Sequence, residues 1–295
     1  MGYAFVTLDV FTGTRFTGNP LAVVFDADGI DDAAMQRVAR EFGHPETVFV
    51  CKPKAGGTAL ARIFTPAVEL PFAGHPTVGT ALALSLRNGG KRIVLEEKIG
   101  LLKCEVEPQD RDKGRATFIL PSLPVSGGTP ASNAAIAAAL GLNADDIGFD
   151  GHAPSKWSAG NAFTFVPLKN IDAVKRSHIV DAAWEAAFAA NGRSAAYVFC
   201  GEAADKASQF HARMFAPHLG VREDPATGSA AAAFAGFCAQ SLSLKDGGHR
   251  FVIEQGFEMG RPSLIELTLT MNGGALSAAS IGGSAIVITE GTIEV

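Results

Sequence analysis

Residues 61–81, ARIFTPAVELPFAGHPTVGTA, return in altered form at 212–230 as ARMFAPHLGVREDPATGSA. Both stretches open Ala-Arg-(Ile/Met)-Phe-x-Pro and close on Pro-x-x-Gly-(Thr/Ser)-Ala. The two copies lie about half the chain apart. A second match supports the offset: Gly18-Asn19 in FTGTRFTGNPLAVVF and Gly160-Asn161 in KWSAGNAFTFVPL, in the same order and at a similar spacing. A period this long excludes a solenoid. The chain therefore reads as a duplicated unit forming two similar domains that face each other. Just before the shared proline, one copy carries His75 and the other Asp224.

Strand signals dominate both halves, many alternating apolar and polar, as in YAFVTLDVF, ETVFV, RATFIL, AFTFVPL and SLIELTLTM. Helical patterns are confined to about 31–42, 76–87, 130–140, 180–191 and 225–241. No βαβαβ rhythm occurs, which argues against a doubly wound parallel sheet. Two of the helical stretches, PTVGTALALSL and PATGSAAAAFAGFCAQSL, are small or apolar on nearly every face. A helix without a polar face is buried all round. The expected fold class is α+β, with each domain a mostly antiparallel curved sheet or barrel around a central helix. The Ser/Gly/Pro-rich stretch 122–132 marks a boundary. It gives an N-terminal domain of 1–121 and a C-terminal domain of 122–281, with strands 282–295 returning to the first.

With 47% hydrophobic and 19% charged residues, the chain can bury a substantial core. The net charge of −5 carries no nucleic-acid footprint. No membrane span or signal peptide is read from the sequence. Cys51, Cys104, Cys200 and Cys238 lack CxxC spacing; reduced, partly buried thiols in a cytoplasmic protein are expected. The histidines show no metal spacing, and neither GxGxxG nor GxxxxGK[ST] occurs, so neither a metal nor a nucleotide cofactor is expected. Lys245 to Arg250 reads as a solvated loop.

Pro76 and Pro225 suit the first helical position, which puts His75 and Asp224 at or beside the N-caps. A helix start carries free N–H groups and a positive dipole end, which together favour an anion. Two such ends pointing into one cleft can hold a carboxylate, with Gly74, Gly228, Thr80 and Ser229 giving close backbone approach and hydroxyls. Asp224 is expected to stay ionised there, and His75 to exchange a proton near neutral pH. Taken alone, an Asp-Pro helix start is more often simple capping. Asn19 is a candidate substrate contact, although Gly-Asn is first a turn. Arg62 and Arg213 repeat and are expected to share one structural task, such as pairing with a carboxylate.

The pieces Asp9-Val10-Phe11, Phe16-x-Gly18-Asn19-Pro20-Leu21-Ala22-Val23, Glu46-Thr47-Val48-Phe49-Val50, Phe64-Thr65-Pro66 and Pro71-Phe72-Ala73-Gly74-His75-Pro76-Thr77 occur in that order. Arg222 to Ala230, Glu254-Gln255-Gly256 and Met259 to Ser263 follow. Together they resemble the PhzF-like phenazine-biosynthesis family, which shares the diaminopimelate epimerase fold. The resemblance implies an active site between two epimerase-like domains and, commonly, a homodimer. It implies Glu46 as the catalytic glutamate, assisted by His75, Asp224 and Ser229, with Gly74 beside the substrate. The implied reaction shifts a hydrogen within a dihydro-hydroxyanthranilate-type ring without cofactor or metal. Without the resemblance, Glu46 reads as an ordinary loop end before a strand.

The wider fold includes racemases and epimerases that place a cysteine at each symmetric helix start. Here those places read His75-Pro76 and Asp224-Pro225, so a two-thiol amino-acid epimerase is the least favoured reading. A non-catalytic binder of small carboxylates on the same scaffold is the other alternative. The leading expectation is a cofactor-independent isomerase that moves a proton within a small carboxylate by acid/base catalysis.

Overall fold

The computed structural model describes residues 2–189 and 192–295. The chain divides into two compact units, Met1–Pro121 with Ser280–Val295, and Ser122–Ala279.

Unit 1 contains β1 (Gly2–Val10), β2 (Asn19–Val24), α1 (Asp32–Phe42), β3 (Glu46–Cys51), β4 (Ala59–Phe64), β5 (Glu69–Leu70), α2 (Gly74–Asn88), β6 (Arg92–Glu97), β7 (Gly100–Pro108) and β8 (Lys113–Ile119). Unit 2 contains β9 (Val125–Ser126), α3 (Asn133–Leu140), β10 (Ser155–Ser158), β11 (Ala162–Pro167), α4 (Ile171–Arg176), α5 (Asp181–Phe188), β12 (Ala195–Cys200), β13 (Phe210–Ala216), β14 (Val221–Asp224), α6 (Gly228–Ser241), β15 (Gly247–Gln255) and β16 (Ser263–Asn272). The last strand, β17 (Ala275–Glu294), belongs to unit 1 from Ser280 onward.

In unit 1 the strand pairings run β1–β2–β3–β4–β6–β7–β8–β17 and return to β1. This closes an 8-strand barrel. Closure removes both sheet edges, which would otherwise expose unpaired backbone groups. Most pairs are antiparallel; β2–β3 and β4–β6 are parallel. Unit 2 repeats this alternation, with β11–β12 and β13–β15 parallel and β10–β11, β12–β13 and β15–β16 antiparallel.

The two helices that read as apolar on every face are the centres of the units. Every residue of α2 from Gly74 to Ser85 is buried, as is every residue of α6 from Gly228 to Cys238. Burial of Val78, Leu82 and Leu84 contributes roughly 1.5–3 kcal/mol apiece. Gly79 has a packing reason: a Cβ there would lie 2.5 Å from Leu21 Cδ2 and 2.8 Å from Val10 Cγ2. Outside the α6 core, α3, α4 and α5 build a second apolar cluster around Trp184, Phe188 and Leu140. The sequence pattern did not show α4, whose six residues are too few for a helical period.

Arg62 and Arg213 do share one task. Arg62 binds Glu69 through Nε (2.9 Å) and Nη2 (3.1 Å), and Arg213 binds Glu223 in the same way (2.8 and 2.9 Å). Each thus ties its strand to the short strand that follows it. Arg213 adds a second job: its Nη1 donates to the carbonyls of Val174, Lys175 and Ser177 at the end of α4. The four cysteines are free and buried. Among the described residues no helix is long and apolar enough to cross a membrane. The stretch 245–250 is not wholly a loop: β15 begins at Gly247, and Arg250 pairs with Thr268.

Candidate active site

The two helix starts differ from the simple capping expected, in opposite directions. In unit 1 the helix begins before Pro76. Ala73, in the extended region, is the N-cap, and the Thr77 N–H bonds to its carbonyl. His75 is therefore the second helical residue, not a cap. Pro76 is tolerated because first-turn N–H groups have no helical partner anyway. In unit 2 the helix begins after Pro225. Asp224 ends β14, paired with Met214, and Thr227 is the N-cap. Neither α2 nor α6 has a side-chain cap, and neither has an acidic residue in its first turn.

Unit 1 brings Glu46 and His75 together. Glu46 opens β3 and lies in parallel register with Leu21 of β2. His75 projects from the first turn of α2. Glu46 Oε2 lies 3.4 Å from His75 Nε2, with side-chain exposures of 14% and 4%. The other side of the imidazole is committed: the ring donates to the Pro20 carbonyl. Nε2 makes no hydrogen bond, so the donor is Nδ1. That fixes the tautomer and aims the Nε2 lone pair at Glu46. Burial pushes His75 down to about 3, against the opposing pull of the Pro20 bond. His75 is thus neutral at neutral pH, and the expectation that it titrates there is corrected. Asn19, fully buried, precedes Pro20 at the start of β2. Gly74 is the helical residue before His75.

Unit 2 orders Asp224 through Thr227 and Gln255, both within the motif pieces given above. The Thr227 hydroxyl donates to Asp224 Oδ2 at 2.6 Å. Gln255 Nε2 donates to the Asp224 carbonyl at 2.7 Å and lies 3.0 Å from Thr227 Oγ1. Gln255 Oε1 accepts the Thr227 N–H at 3.1 Å. Thr227 thus spends its hydroxyl on Asp224 rather than on capping α6. Gly256 has φ +78°, and a Cβ there would lie 2.5 Å from the carbonyl oxygens of both Arg261 and Pro225. The Glu-Gln-Gly sequence therefore needs its glycine for close packing behind Asp224. Gly228 and Ser229 form the first turn of α6 and are buried.

Each unit holds a further polar cluster. In unit 1, Thr77 Oγ1 lies 2.8 Å from the Ala73 carbonyl and 2.7 Å from Glu97 Oε1. In unit 2, His211 Nδ1 meets Glu254 Oε2 at 3.0 Å and Nε2 meets Glu258 Oε1 at 2.9 Å. A cavity of about 330 Å³ in unit 1 lies at the far end of α2, against Ala83, Leu86 and Arg87; neither Glu46 nor His75 lines it.

A half-buried carboxyl beside a buried imidazole of fixed tautomer suits proton transfer. The family model of phenazine biosynthesis-like proteins matches residues 8–291. The chain belongs to this family. It is similar to an uncharacterized isomerase of Mesorhizobium japonicum, 45% identical over 98% of both chains. It is similar also to a trans-2,3-dihydro-3-hydroxyanthranilate isomerase of Pseudomonas fluorescens, 36% identical over 98% of both. A crystal structure of a PhzF-family phenazine biosynthesis protein from Bacillus anthracis superposes with a TM-score of 0.90, covering 100% of both chains at 26% identity. The chain is an isomerase of this family, with the α+β epimerase-like fold.

Proposed function

We propose that this isomerase moves a hydrogen within trans-2,3-dihydro-3-hydroxyanthranilate or a close unsaturated amino carboxylate, using side chains alone. The observation that carries it is the Glu46–His75 pair, 3.4 Å apart, with His75 buried and its Nδ1 already committed to Pro20. Two lone pairs facing each other at that distance repel, and a proton that Glu46 takes from the substrate relieves the repulsion by bridging to Nε2. A group that holds a proton in one state and accepts one in the next is what an intramolecular proton shift requires.

Each step is balanced within the substrate. Glu46 takes the proton from one ring carbon while the C–H electron pair moves into the adjacent unsaturation. A new C–H bond forms at the far end of that system when Glu46 returns the proton. His75 stabilises the carboxyl proton between the two transfers. Asp224, held by Thr227, hydrogen-bonds a substrate heteroatom. The uncapped N–H groups of Gly74, Gly228 and Ser229 bind the carboxylate, where the helix dipole favours negative charge. Asn19 orients the substrate beside Pro20.

Proton NMR of trans-2,3-dihydro-3-hydroxyanthranilate in D₂O with the wild-type protein tests this reading. The expected result is loss of the substrate signals with growth of an isomer. A folded protein that neither isomerises the compound nor exchanges its ring hydrogens overturns the assignment of substrate.

Thr227→Val tests the role of Asp224. Valine keeps the shape and removes the hydroxyl donor. A hydrogen bond to a charged acceptor is worth about 1.5–3 kcal/mol, so kcat/KM should fall roughly 10- to 100-fold. An unchanged kcat/KM would mean that Asp224 needs no such support.

A further inference from the structure

The geometry points to Glu97 as a protonated latch that positions His75 through Thr77, a role that follows from counting hydrogens. Thr77 Oγ1 sits between two oxygens, the Ala73 carbonyl at 2.8 Å and Glu97 Oε1 at 2.7 Å. A hydroxyl has one hydrogen and cannot donate to both. With a proton on Glu97 the conflict disappears: the carboxyl donates to Thr77 Oγ1, and Thr77 donates to Ala73. The other carboxyl oxygen points the same way. Glu97 Oε2 is buried without a hydrogen-bond partner, which is far costlier for a carboxylate than for the carbonyl oxygen of a neutral acid.

The surroundings agree. Glu97 ends β6 and is 6% exposed. The groups that face it are Thr77 from α2 and Cys104 from β7. Burial raises the Cys104 thiol well above its usual range, so neither group is charged at neutral pH. Burial likewise raises Glu97 to about 8, with the Thr77 bond opposing.

The second unit supplies the comparison. Leu60 pairs with Glu96 between β4 and β6, and His211 pairs with Glu254 between β13 and β15. The next residues, Glu97 and Gln255, occupy equivalent places behind the two helix starts. Gln255 is a permanent neutral donor that supports Asp224. Glu97 does the matching job behind His75 only while protonated. The latch acts at the Ala73 carbonyl, two residues from His75, on the turn that aims Nε2 at Glu46. Ionisation of Glu97 pulls the Thr77 hydrogen toward the carboxylate and releases that turn.

The role rests on Glu46 and His75 being the reacting pair, and the test separates the two ideas. The Glu97 carboxyl and the His75 ring are followed by ¹³C and ¹⁵N NMR from pH 5 to 9.5, in wild type, Glu97→Gln and Thr77→Val. His75 itself does not titrate in this range, since burial holds it near 3. Any movement of its ring signals therefore reports a neighbour. In wild type the Glu97 carboxyl and the His75 ring should shift together near pH 8. In Glu97→Gln the ring should stay flat, and in Thr77→Val the carboxyl should titrate without the ring. Where turnover of the dihydro-hydroxyanthranilate is measurable, kcat should show a basic limb near pH 8 that Glu97→Gln removes. A purely structural residue would leave that limb in place.

Stability gives a second check. A carboxyl raised from 4.5 to about 8 favours the folded state fully below 4.5 and loses that contribution as pH rises through 8. The melting temperature of Glu97→Gln should therefore gain on wild type between pH 5 and 8. Glu97 titrating in the ordinary carboxylate range, or a His75 ring indifferent to it, overturns the proposal. Absence of turnover with the coupled shifts intact counts against the substrate and leaves the latch standing.

Discussion

Glu46→Gln is expected to abolish isomerisation, lowering kcat by at least about 10³-fold, the scale at which a positioned acid–base group contributes. The variant is a narrow perturbation. Glutamine keeps the length and planarity of the side chain and can donate its amide hydrogen to His75 Nε2, as a protonated Glu46 would. What it cannot do is accept a proton from carbon. Glu46 opens β3 and pairs with β2 through its backbone, so the strand does not depend on the carboxyl. The melting temperature should stay within a few degrees of wild type. Ring-hydrogen exchange in D₂O is the more sensitive readout, because it detects abstraction even when product does not accumulate. Isomerisation and exchange should both vanish while the folded spectrum persists. Exchange that survives in a folded Glu46→Gln protein would move the base elsewhere, and His75 with its Nε2 lone pair would be the next candidate. His75→Asn separates the two. It removes the partner but leaves Glu46, so it should slow the reaction without abolishing it.

Much of this arrangement was legible because it repeats or because it is extreme. The duplicated ARxFxP segment gave two units, and two helices lacking any polar face could only be central. The all-round burial of α2 and α6 follows from that composition. The helix starts were misplaced because a proline lies near a helix start without fixing its side: Pro76 is inside the first turn of α2, whereas Pro225 precedes α6. The Ala73 cap offers no side chain to recognise, and Thr227 resembles a cap while its hydroxyl serves Asp224. The supporting residues were hidden for a different reason. Thr77, in the first turn of α2, reaches Glu97 at the end of β6, and Thr227, at the head of α6, reaches Gln255 at the end of β15. Such contacts leave no local period. The one available signal was the repeat itself: the positions just after Glu96 and Glu254 align, and an acid at the place of an amide is the same kind of divergence as His75 at the place of Asp224. Glu46 was visible only through the family resemblance, since a glutamate at the head of a strand is otherwise ordinary. The neutral state of His75 needed burial to be known, which a sequence does not give.

His211→Leu is expected to cost about 3–5 kcal/mol, the penalty for removing one member of a buried ionic cluster. His211 and Glu254 are neighbours on parallel strands β13 and β15, and both side chains are fully buried. Glu254 also accepts the N–H groups of Ala204 and Asp205 at 2.8 and 2.7 Å, so it stays fixed when the histidine is lost. Glu258 comes from the turn Phe257–Met259, and Phe257 packs edge-on to the imidazole at 5.3 Å. Although burial opposes charge on His211, its hydrogen bonds to Glu254 and Glu258 win and raise it to about 9. Both glutamates are lowered: burial is the largest single influence and raises them, but the bonds to His211, the charge of His211 and, on Glu254, the N–H groups of Ala204 and Asp205 together outweigh it. The signs define a window. The histidine's contribution is complete below its ordinary value of 6.5 and is lost as pH rises through 9. The glutamates' contribution is complete above their ordinary 4.5 and is lost as pH falls below it. Chemical and thermal unfolding from pH 4 to 10 should therefore show the widest gap between wild type and His211→Leu at about pH 4.5–6.5, narrowing on both sides. A pH-independent gap would mean that leucine fails through packing rather than charge. The same clamp reaches the chemistry, because Glu258 anchors the loop that begins at Gly256, whose backbone packs against the Pro225 carbonyl beside Asp224. Loss of the clamp should thus lower kcat even at temperatures where the variant is fully folded, and Glu258→Gln, which keeps His211 and a hydrogen-bond acceptor for it, should show only part of both losses.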